Sequence, residues 1–281
     1  MNLLTGDLGN SRCKLRLWRV GEGAATEARA RFQLATRDFD SRAGIGAEVS
    51  AWLDEIPSID VVAICGVASS DLEDELLRAM ETTTAVQPRG RRGTRLEPGL
   101  AIACREPERV GRDRLFAARG ALELCATSAI VVDAGTALTV DAVRGDGTFL
   151  GGAIAPGPTL LAKALAEGTA RLPRIEPEPR ASALGRTTEE ALQAGVVVGF
   201  RGAARELVER VSEEAGFADA ALVLTGGARR FLREPTAFVA RRLREEPDLV
   251  HIGLLAAWGA SRTKALDSEA QDAASQKGRS R

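Results

Sequence analysis

The chain has 281 residues, of which 44% are hydrophobic, and its formal net charge is −1. This length predicts two domains of ordinary size, and the near-neutral charge argues against a nucleic-acid-binding surface. Arginines gather over residues 89–95, but such a run is typical of a solvated loop, and we interpret it as one.

We expect a cytoplasmic protein with no membrane partner. No apolar run is long enough to span a bilayer, and strand residues begin at Leu3, without the basic and then apolar layout of a signal peptide. The four cysteines have no metal-like spacing, and Cys65 and Cys125 lie in apolar runs, where buried reduced thiols are expected. The chain has one histidine, His251, and no tyrosine, so acid–base chemistry must fall mainly to carboxylates.

A hairpin is predicted over residues 3–20, where two apolar runs flank a short polar turn. The turn offers backbone amides to a phosphate without bulky side chains in the way. Asp7 at its mouth suits a metal ion that bridges phosphate oxygens. An ordinary hairpin with Gly-Asn in its turn explains the same residues, so this stretch alone does not identify a ligand.

The chain up to residue 103 continues as alternating strands and helices. The pattern predicts, in order, a connection over 21–31, a strand over 32–36, a helix over 44–53, a strand over 61–65, a helix over 71–80 and a short strand from Val86. The continuous apolar run at 61–65 is typical of a sheet that is covered on both faces.

Residues 104–114 form a predicted loop that Pro107 and Gly111 punctuate, and a helix follows from about Arg114 to Cys125. Asp113 therefore stands at a loop-to-helix junction, where unpaired backbone amides and the helix dipole favour anions. Two roles remain open for its carboxylate, an acid–base group or a simple cap of the helix.

The pattern of the first hairpin recurs at residues 130–143, with Asp133, Gly135 and Thr136 in its turn. Asp7 and Asp133 are thus predicted at equivalent turns of two similar halves. A further glycine turn, residues 225–227, follows an apolar strand over 222–224. Three phosphate-compatible turns in one chain are much less expected by chance than one.

The rest of the second half carries weaker signals. The glycine-rich residues 149–157 indicate either close approach to a ligand or an ordinary strand and turn. Helices are predicted over 159–168, from a capping box at Thr187 to about Ala215, and over 248–261. Residues 172–179 are predicted to be extended, glycines at 195, 199 and 202 to allow close helix contact, and 262–281 to be a disordered tail.

Together these motifs resemble the type III pantothenate kinases, a family of the acetate and sugar kinase/Hsp70/actin superfamily. The resemblance covers about residues 3–261, and its motifs are 7–11, 111–114, 133–137, 151–157, 185–191 and 225–227. The Gly-x-Asp-Arg motif that ends at Arg114 is the specific part, because the Asp-x-Gly turns alone indicate only the superfamily.

The resemblance implies an α/β fold of two ribonuclease-H-like (actin-like ATPase) domains, residues 1–124 and 125–261, with a nucleotide cleft between them. It implies ATP-dependent phosphorylation of the 4′-hydroxyl of pantothenate, the first step of coenzyme A biosynthesis. It also implies Mg²⁺, a monovalent cation such as K⁺ or NH₄⁺, and a homodimer.

The family's site residues carry over to matching positions of this chain. Asp113 matches the catalytic base, Asp133 the monovalent-cation ligand, and Asp7 lies where Mg²⁺ is expected. Pantothenate contacts are implied for Cys104, Gly111, Arg112, Asp113, Arg114 and Thr188. ATP contacts are implied for Asp7, Leu8, Gly9, Asn10, Ser11, Arg12, Cys13, Lys14 and Thr136, with residues 225–227 near the nucleoside. For Lys14 we favour a solvent-facing strand lysine over a phosphate ligand.

The chain departs from the family's pattern at three of these places. Cys104 stands where the family often has a substrate-binding tyrosine, and a thiol is only a weak donor. Arg112 replaces a residue that is usually small or apolar, and Thr187 replaces a common asparagine. None of these changes removes a charge that the mechanism needs.

Two alternatives stand beside the kinase. One is a catalytically weak regulatory or accessory protein of the same fold, and the other is a different member of the superfamily, such as a sugar kinase or a phosphohydrolase. The intact set of Asp7, Asp113, Arg114 and Asp133 favours the kinase, because a degenerate member is expected to lose some of these residues.

Overall fold

The computed structural model describes residues 1–9, 12–21, 27–35, 49, 51–56, 58–66, 96–217, 219–233, 238 and 242–263. Several predictions from the sequence lie outside these residues: the helix over 71–80, the strand from Val86, the arginine-rich residues 89–95, and the phosphate-loop residues Asn10 and Ser11.

The chain divides into two compact units. The first comprises Met1–Gly99, Gly111–Gly120 and Val250–Arg281, and the second comprises Leu100–Val110 and Ala121–Leu249. This division differs from the predicted domains of 1–124 and 125–261, because the chain from Val250 onward belongs to the first unit and the segment before Gly111 belongs to the second.

The first unit contains a four-stranded sheet in the order β3-β2-β1-β4. Its strands are β1 (Asn2–Leu8), β2 (Arg12–Arg19), β3 (Glu27–Ala35) and β4 (Val61–Gly66). Strands β1, β2 and β3 are antiparallel neighbours, whereas β4 pairs with β1 in parallel. The predicted first hairpin is confirmed. The predicted connection over 21–31 is wrong at its end, because β3 begins at Glu27.

Alternation along β1 and β2 separates a core face from a polar face. Leu4 and Leu8 of β1 pack in a buried apolar cluster with Cys13 and Leu15 of β2. Because successive side chains of a strand point to opposite faces, Asp7 belongs to the other face. Helical residues 51–54 contribute Leu53 to the same cluster.

A buried histidine closes the polar face of this sheet. Nδ1 of His251 lies 2.8 Å from Oγ1 of Thr5, which also accepts a 2.7 Å hydrogen bond from Nε1 of Trp18. Burial, and then the positive charge of Arg16, lowers the pKa of His251 well below its ordinary value. His251 is therefore a neutral group of the packed interior.

The second unit contains a six-stranded sheet in the order β10-β9-β6-β7-β8-β5. Its strands are β5 (Ala101–Ile102), β6 (Ala129–Ala134), β7 (Ala137–Val143), β8 (Thr148–Pro156), β9 (Ala221–Thr225) and β10 (Leu243–Glu245). Strands β6, β7 and β8 are antiparallel, and β9 pairs with β6 in parallel. The predicted hairpin over 130–143 is confirmed.

The two sheets repeat one topology, three antiparallel strands followed by a strand that returns parallel to the first. Asp7 is the second-last residue of β1, and Asp133 is the second-last residue of β6. Each lies opposite the returning strand, at Cys65 and Thr225 respectively. The prediction that these two acids occupy equivalent places in similar halves is confirmed.

Helices complete the described fold. They are α1 (Arg112–Cys125), α2 (Pro158–Gly168), α3 (Thr188–Ala215) and α4 (residues 249–263). Two residues assigned to the predicted tail, 262 and 263, are helical, and 264–281 lie outside the described residues. No helix in the described part of the chain combines the length and hydropathy needed to cross a membrane.

Helix α3 begins and ends as its sequence predicts. Oγ1 of Thr187 accepts a hydrogen bond from the backbone N–H of Glu190, which caps the helix. Gly216, with a φ of 71°, ends it. The predicted close helix contacts at glycines 195, 199 and 202 are wrong, because a Cβ at each would meet nothing within 4 Å among the described residues.

Close helix contact occurs instead in α4. A Cβ at Gly253 would overlap the carbonyl oxygen of Phe116 in α1, and it would lie 3.1 Å from the backbone nitrogen of Gly120. Gly253 therefore lets the two backbones of the first unit touch. Gly259, further along α4, has open space around its Cβ position among the described residues.

These two glycines give a matched pair of substitutions. We expect Gly253→Ala to lower the free energy of unfolding by about 1–3 kcal/mol, because the methyl group overlaps backbone that cannot rotate away. Gly259→Ala should raise it by about 0.5–1 kcal/mol, since alanine is the better helix former. Urea denaturation of both variants measures this, and equal effects would contradict the assigned contact.

Candidate active site

Asp7 lies at the carboxyl end of β1, directly opposite Lys14 of β2. Nζ of Lys14 donates a 2.8 Å hydrogen bond to Oδ2 of Asp7, and both side chains are mostly buried. The interpretation of Lys14 as a solvent-facing strand lysine is therefore wrong. The pair places a carboxylate and an ammonium group together beside the first turn, which suits binding of a phosphate and its metal ion.

A backbone hydrogen bond joins the two described ends of the first turn. The N–H of Gly9 donates to the carbonyl of Arg12 at 3.0 Å and closes the turn. Leu8 and Cys13 on either side are buried in the apolar cluster of the first unit. Burial, reinforced by the charge of Asp7, raises the pKa of the Cys13 thiol to about 12, so this cysteine stays neutral and offers a ligand only its backbone.

Asp113 lies in the first turn of α1, also in the first unit. Its Oδ1 accepts a 2.9 Å hydrogen bond from the N–H of Arg114, and a Cβ at Gly111 would lie 2.6 Å from the same oxygen. Burial raises the pKa of Asp113, and the negative charge of Asp7 raises it further, although the Arg114 N–H opposes both. The carboxylate thus holds a proton more readily than an ordinary aspartate, as a general base requires.

The guanidinium of Arg112 is engaged by neighbouring residues of its own unit. Its Nη2 donates to the carbonyl oxygen of Leu96, its Nη1 lies 3.8 Å from Oε1 of Glu97, and its guanidinium lies 5.3 Å from the ring centre of Phe116. These contacts explain the unusual arginine of the motif, because they tie the start of α1 to the chain at 96–97.

In the second unit two glycines, Gly226 and Gly157, pack closely against Asp133 and the turn that follows it. A Cβ at Gly226 would overlap both Oδ1 of Asp133 and the carbonyl oxygen of Ala134. A Cβ at Gly157 would lie 2.6 Å from the carbonyl oxygen of Thr136, to which the N–H of Gly157 donates at 2.9 Å. Only glycine fits at either place, and the turn around Asp133 is consequently lined by backbone.

The predicted pantothenate contacts of the second unit lie on separate elements. Cys104 is a half-buried free thiol beside β8, where a Cβ at Gly151 would lie 3.4 Å from its sulfur. Thr188 is the exposed first residue of α3, immediately after the capping Thr187. The structure therefore supports the helix-capping interpretation of Thr187 and leaves the side chain of Thr188 at the surface of its unit.

The donor chemistry fits hard cations. Asp133 presents carboxylate oxygen beside backbone carbonyls, the hard oxygen ligands that an alkali-metal ion takes, and Gly226 packs closely against this carboxylate. Asp7 supplies the single carboxylate with which Mg²⁺ is commonly held beside phosphates. Among the described residues no three His, Cys, Asp or Glu side chains cluster as a metal site, so neither ion would be caged by these side chains alone.

Sequence reasoning missed the contacts behind the Gly226 turn. Nη1 of Arg229 donates a 2.8 Å hydrogen bond to the carbonyl oxygen of Gly226, and Glu245 of β10 lies beside both Arg229 and Arg233. An arginine-rich stretch beyond a strand resembles a solvated surface in sequence, and nothing local links it to a glutamate on a later strand.

Comparison with known proteins identifies relatives over most of the chain. The family model described as type III pantothenate kinase matches residues 3–210. A type III pantothenate kinase of Thermus thermophilus is 35% identical over 233 residues, which cover 82% of this chain and 89% of that protein. The type III pantothenate kinase of Thermomicrobium roseum is 32% identical over 234 residues, which cover 80% of this chain and 85% of that protein.

A solved structure supports the fold. The activator of 2-hydroxyisocaproyl-CoA dehydratase from Clostridium difficile, with bound ADPNP, matches with a TM-score of 0.50 at 11% identity, and the match covers 94% of this chain and 97% of that one. With the repeated sheet topology, this confirms the predicted α/β class with ribonuclease-H-like units.

The Gly226 turn allows a test of how closely it packs on Asp133. Gly226 and Gly216 both have positive φ, 88° and 71°, but Gly216 has nothing within 4 Å of its Cβ position among the described residues. We expect Gly216→Ala to lower the free energy of unfolding by about 1–2 kcal/mol through backbone strain. Gly226→Ala should lower the free energy of unfolding by ~1–3 kcal/mol more than Gly216→Ala does, because its methyl group also overlaps Asp133 and Ala134. Urea midpoints measure the difference, and equal midpoints would refute the close packing.

Proposed function

The chain belongs to the type III pantothenate kinase family, and on that premise we propose that it transfers the γ-phosphate of ATP to the 4′-hydroxyl of pantothenate, the first step of coenzyme A biosynthesis. The observation that carries the proposal is Asp113, a carboxylate with a raised pKa at the start of α1, in the motif that is specific to the family. Phosphoryl transfer depends on positioning and charge neutralisation more than on covalent chemistry. The carboxylates and basic side chains of the two units are the groups that such a reaction requires.

Asp113 acts as the general base. Its carboxylate accepts the proton of the pantothenate hydroxyl while the hydroxyl oxygen forms a bond to the γ-phosphorus and the bond to the leaving ADP breaks. Gly111 keeps the space that the carboxylate occupies, and the Arg114 N–H fixes one of its oxygens. Arg114 offers a guanidinium to the pantothenate carboxylate or to developing phosphate charge. Arg112 supports this turn through its contacts with Leu96 and Phe116.

The ATP phosphates bind along the first turn. The backbone hydrogen bond between Gly9 and Arg12 holds the two ends of this turn together, and Lys14 would neutralise phosphate charge beside Asp7. Asp7 would hold Mg²⁺, which when bound neutralises the phosphate charge that builds up during transfer. Support for this assignment comes from the partial burial of the Asp7–Lys14 pair, which keeps both groups in place at the end of β1.

The second unit contributes the monovalent-cation ligand and nucleotide contacts. Asp133 would hold K⁺ or NH₄⁺, Thr136 would contact ATP, and residues 225–227 would lie near the nucleoside. The glycine-lined surroundings of Asp133 support this assignment. Cys104 and Thr188 would contact pantothenate.

We also propose a homodimer that works in the cytoplasm. The use of ATP and the reduced state of the four cysteines support that location. A particle of twice the mass of one chain in light scattering would support the dimer.

The first experiment is ADP release by the purified protein with ATP and Mg²⁺, with and without pantothenate. We expect release to depend on pantothenate, and to rise when Na⁺ is replaced by K⁺ or NH₄⁺, because Asp133 offers the hard oxygen that these ions take. No release with any cation would favour the regulatory alternative. Turnover with sugars or polyphosphate would favour another member of the superfamily.

Asp113→Asn tests the base. We expect kcat to fall by about 10²–10⁴-fold, the contribution of a positioned general base, while thermal unfolding stays close to that of the wild type. In the wild type, kcat/KM should fall as the pH drops through the pKa of Asp113, at a pH above the ordinary aspartate range because that pKa is raised. Asp146→Asn is the control, since Asp146 is exposed and its contacts, a hydrogen bond from the Thr148 N–H and a surface ion pair with Arg144, lie outside the proposed site. Wild-type turnover in Asp113→Asn would remove Asp113 from this role.

A further inference from the structure

A cluster of charged residues lies behind the Gly226 turn, at the edge of the second sheet. Strand β10 pairs in parallel with β9, with Glu245 opposite Leu224, and the N–H of Glu246 donates to the carbonyl of Leu224 at 2.9 Å. Glu245 is thus fixed on the sheet. The turn after β9 continues as a short 3₁₀ helix, Gly227–Leu232, which carries Arg229.

Arg229 joins the turn to the sheet. Its Nη1 donates a 2.8 Å hydrogen bond to the carbonyl oxygen of Gly226, and its Nε lies 3.6 Å from Oε2 of Glu245. The backbone N–H of Arg229 is 3.5 Å from the same carbonyl oxygen. The guanidinium is therefore the closer partner of this carbonyl, and Glu245 lies within ion-pair distance of the same guanidinium. These contacts of Arg229 with Gly226 and Glu245 are called the brace below.

Glu245 is held in turn by a second arginine. Nε of Arg233 lies 3.0 Å from both carboxylate oxygens of Glu245. Nη2 of Arg233 donates a further hydrogen bond to Oε2, and contact through two guanidinium nitrogens fixes the geometry of the pair. The pKa of Glu245 is lowered, first by the hydrogen bond from Arg233, so the group stays ionised.

We propose that Arg229 is a positioning residue for the Asp133 edge of the second unit, with Glu245 as its anchor. Gly226 packs against Oδ1 of Asp133 without room for a Cβ. By holding the carbonyl of Gly226, Arg229 keeps the 225–227 turn pressed against Asp133, and so sets the orientation of both. The functional part of this inference rests on the proposed roles of Asp133 and of the turn in cation and nucleotide binding.

The neighbouring Arg230 provides a matched control. Its guanidinium lies 5.0 Å from the ring centre of Phe231. Arg230→Met removes the same charge from the same 3₁₀ helix and leaves the contacts of Arg229 in place. Arg229→Met removes the brace, Arg229→Lys keeps the charge without the planar fork, and Glu245→Gln removes the anchor's charge.

The test combines hydrogen–deuterium exchange of the ligand-free protein with steady-state kinetics of the same variants. We expect peptides over residues 222–232 to exchange about tenfold faster in Arg229→Met, the size of effect expected for a lost charge-assisted hydrogen bond. Glu245→Gln and Arg229→Lys should show smaller increases, and Arg230→Met none. KM for ATP and the half-saturating K⁺ concentration should rise in Arg229→Met, with KM for pantothenate unchanged.

The two readouts separate this inference from the proposed function. Unchanged exchange in both Arg229→Met and Glu245→Gln overturns the brace, whatever the wild type catalyses. Faster exchange in Arg229→Met, together with a wild type that lacks pantothenate-dependent turnover, supports the brace and refutes the kinase. Equal increases of KM for ATP and for pantothenate would reduce Arg229 to a general structural role and overturn its assignment as a positioning residue. If Arg229→Met fails to fold, the exchange rates and KM values of Glu245→Gln test the same inference.

Discussion

In both units, parallel pairing of the first strand with a later strand determines where the acidic residue of the site lies. The carboxyl ends of parallel strands meet at one edge of a sheet, so a polar residue near the end of the first strand lies beside the end of its returning partner. Asp7 comes to lie opposite Cys65, and Asp133 opposite Thr225. Each acid also faces away from the apolar cluster of its own unit, because the neighbouring positions of the strand fill that cluster.

The surroundings of each aspartate determine its chemical properties. Asp7 is neutralised by Lys14, whereas Asp113 has a raised pKa, mainly through burial. Two carboxylates of one unit are thereby suited to two tasks, one to bind charge and the other to take up a proton. In the second unit glycine determines the surroundings of Asp133. Gly226 packs its backbone against the Asp133 carboxylate, and a side chain at this position would prevent that contact.

Much of the fold follows from local sequence. Alternating apolar residues predicted both hairpins, and the capping box predicted the start of α3 at Thr188. The start of β3 was missed because residues 27–31 alternate small and charged side chains, a weak strand signal. The glycines of α3 were misjudged for a different reason: a helical glycine signals close contact only when a partner lies opposite it. Gly253 has such a partner in Phe116, and the glycines of α3 have open space among the described residues.

The sequence by itself determined the repeated acid-and-glycine turns, the motif around Asp113 and hence the family and its chemistry, because each of these features is contained within a few consecutive residues. Tertiary structure decided which residues the charged side chains contact. Lys14 pairs with Asp7 across a strand ladder, Arg112 reaches back to Leu96, and Glu245 anchors Arg229. Each of these contacts involves a charged residue, Lys14, Arg112 or Arg229, whose local sequence is that of an ordinary exposed charge. Only the pairing of separate strands and segments distinguishes a positioned side chain from a solvated one.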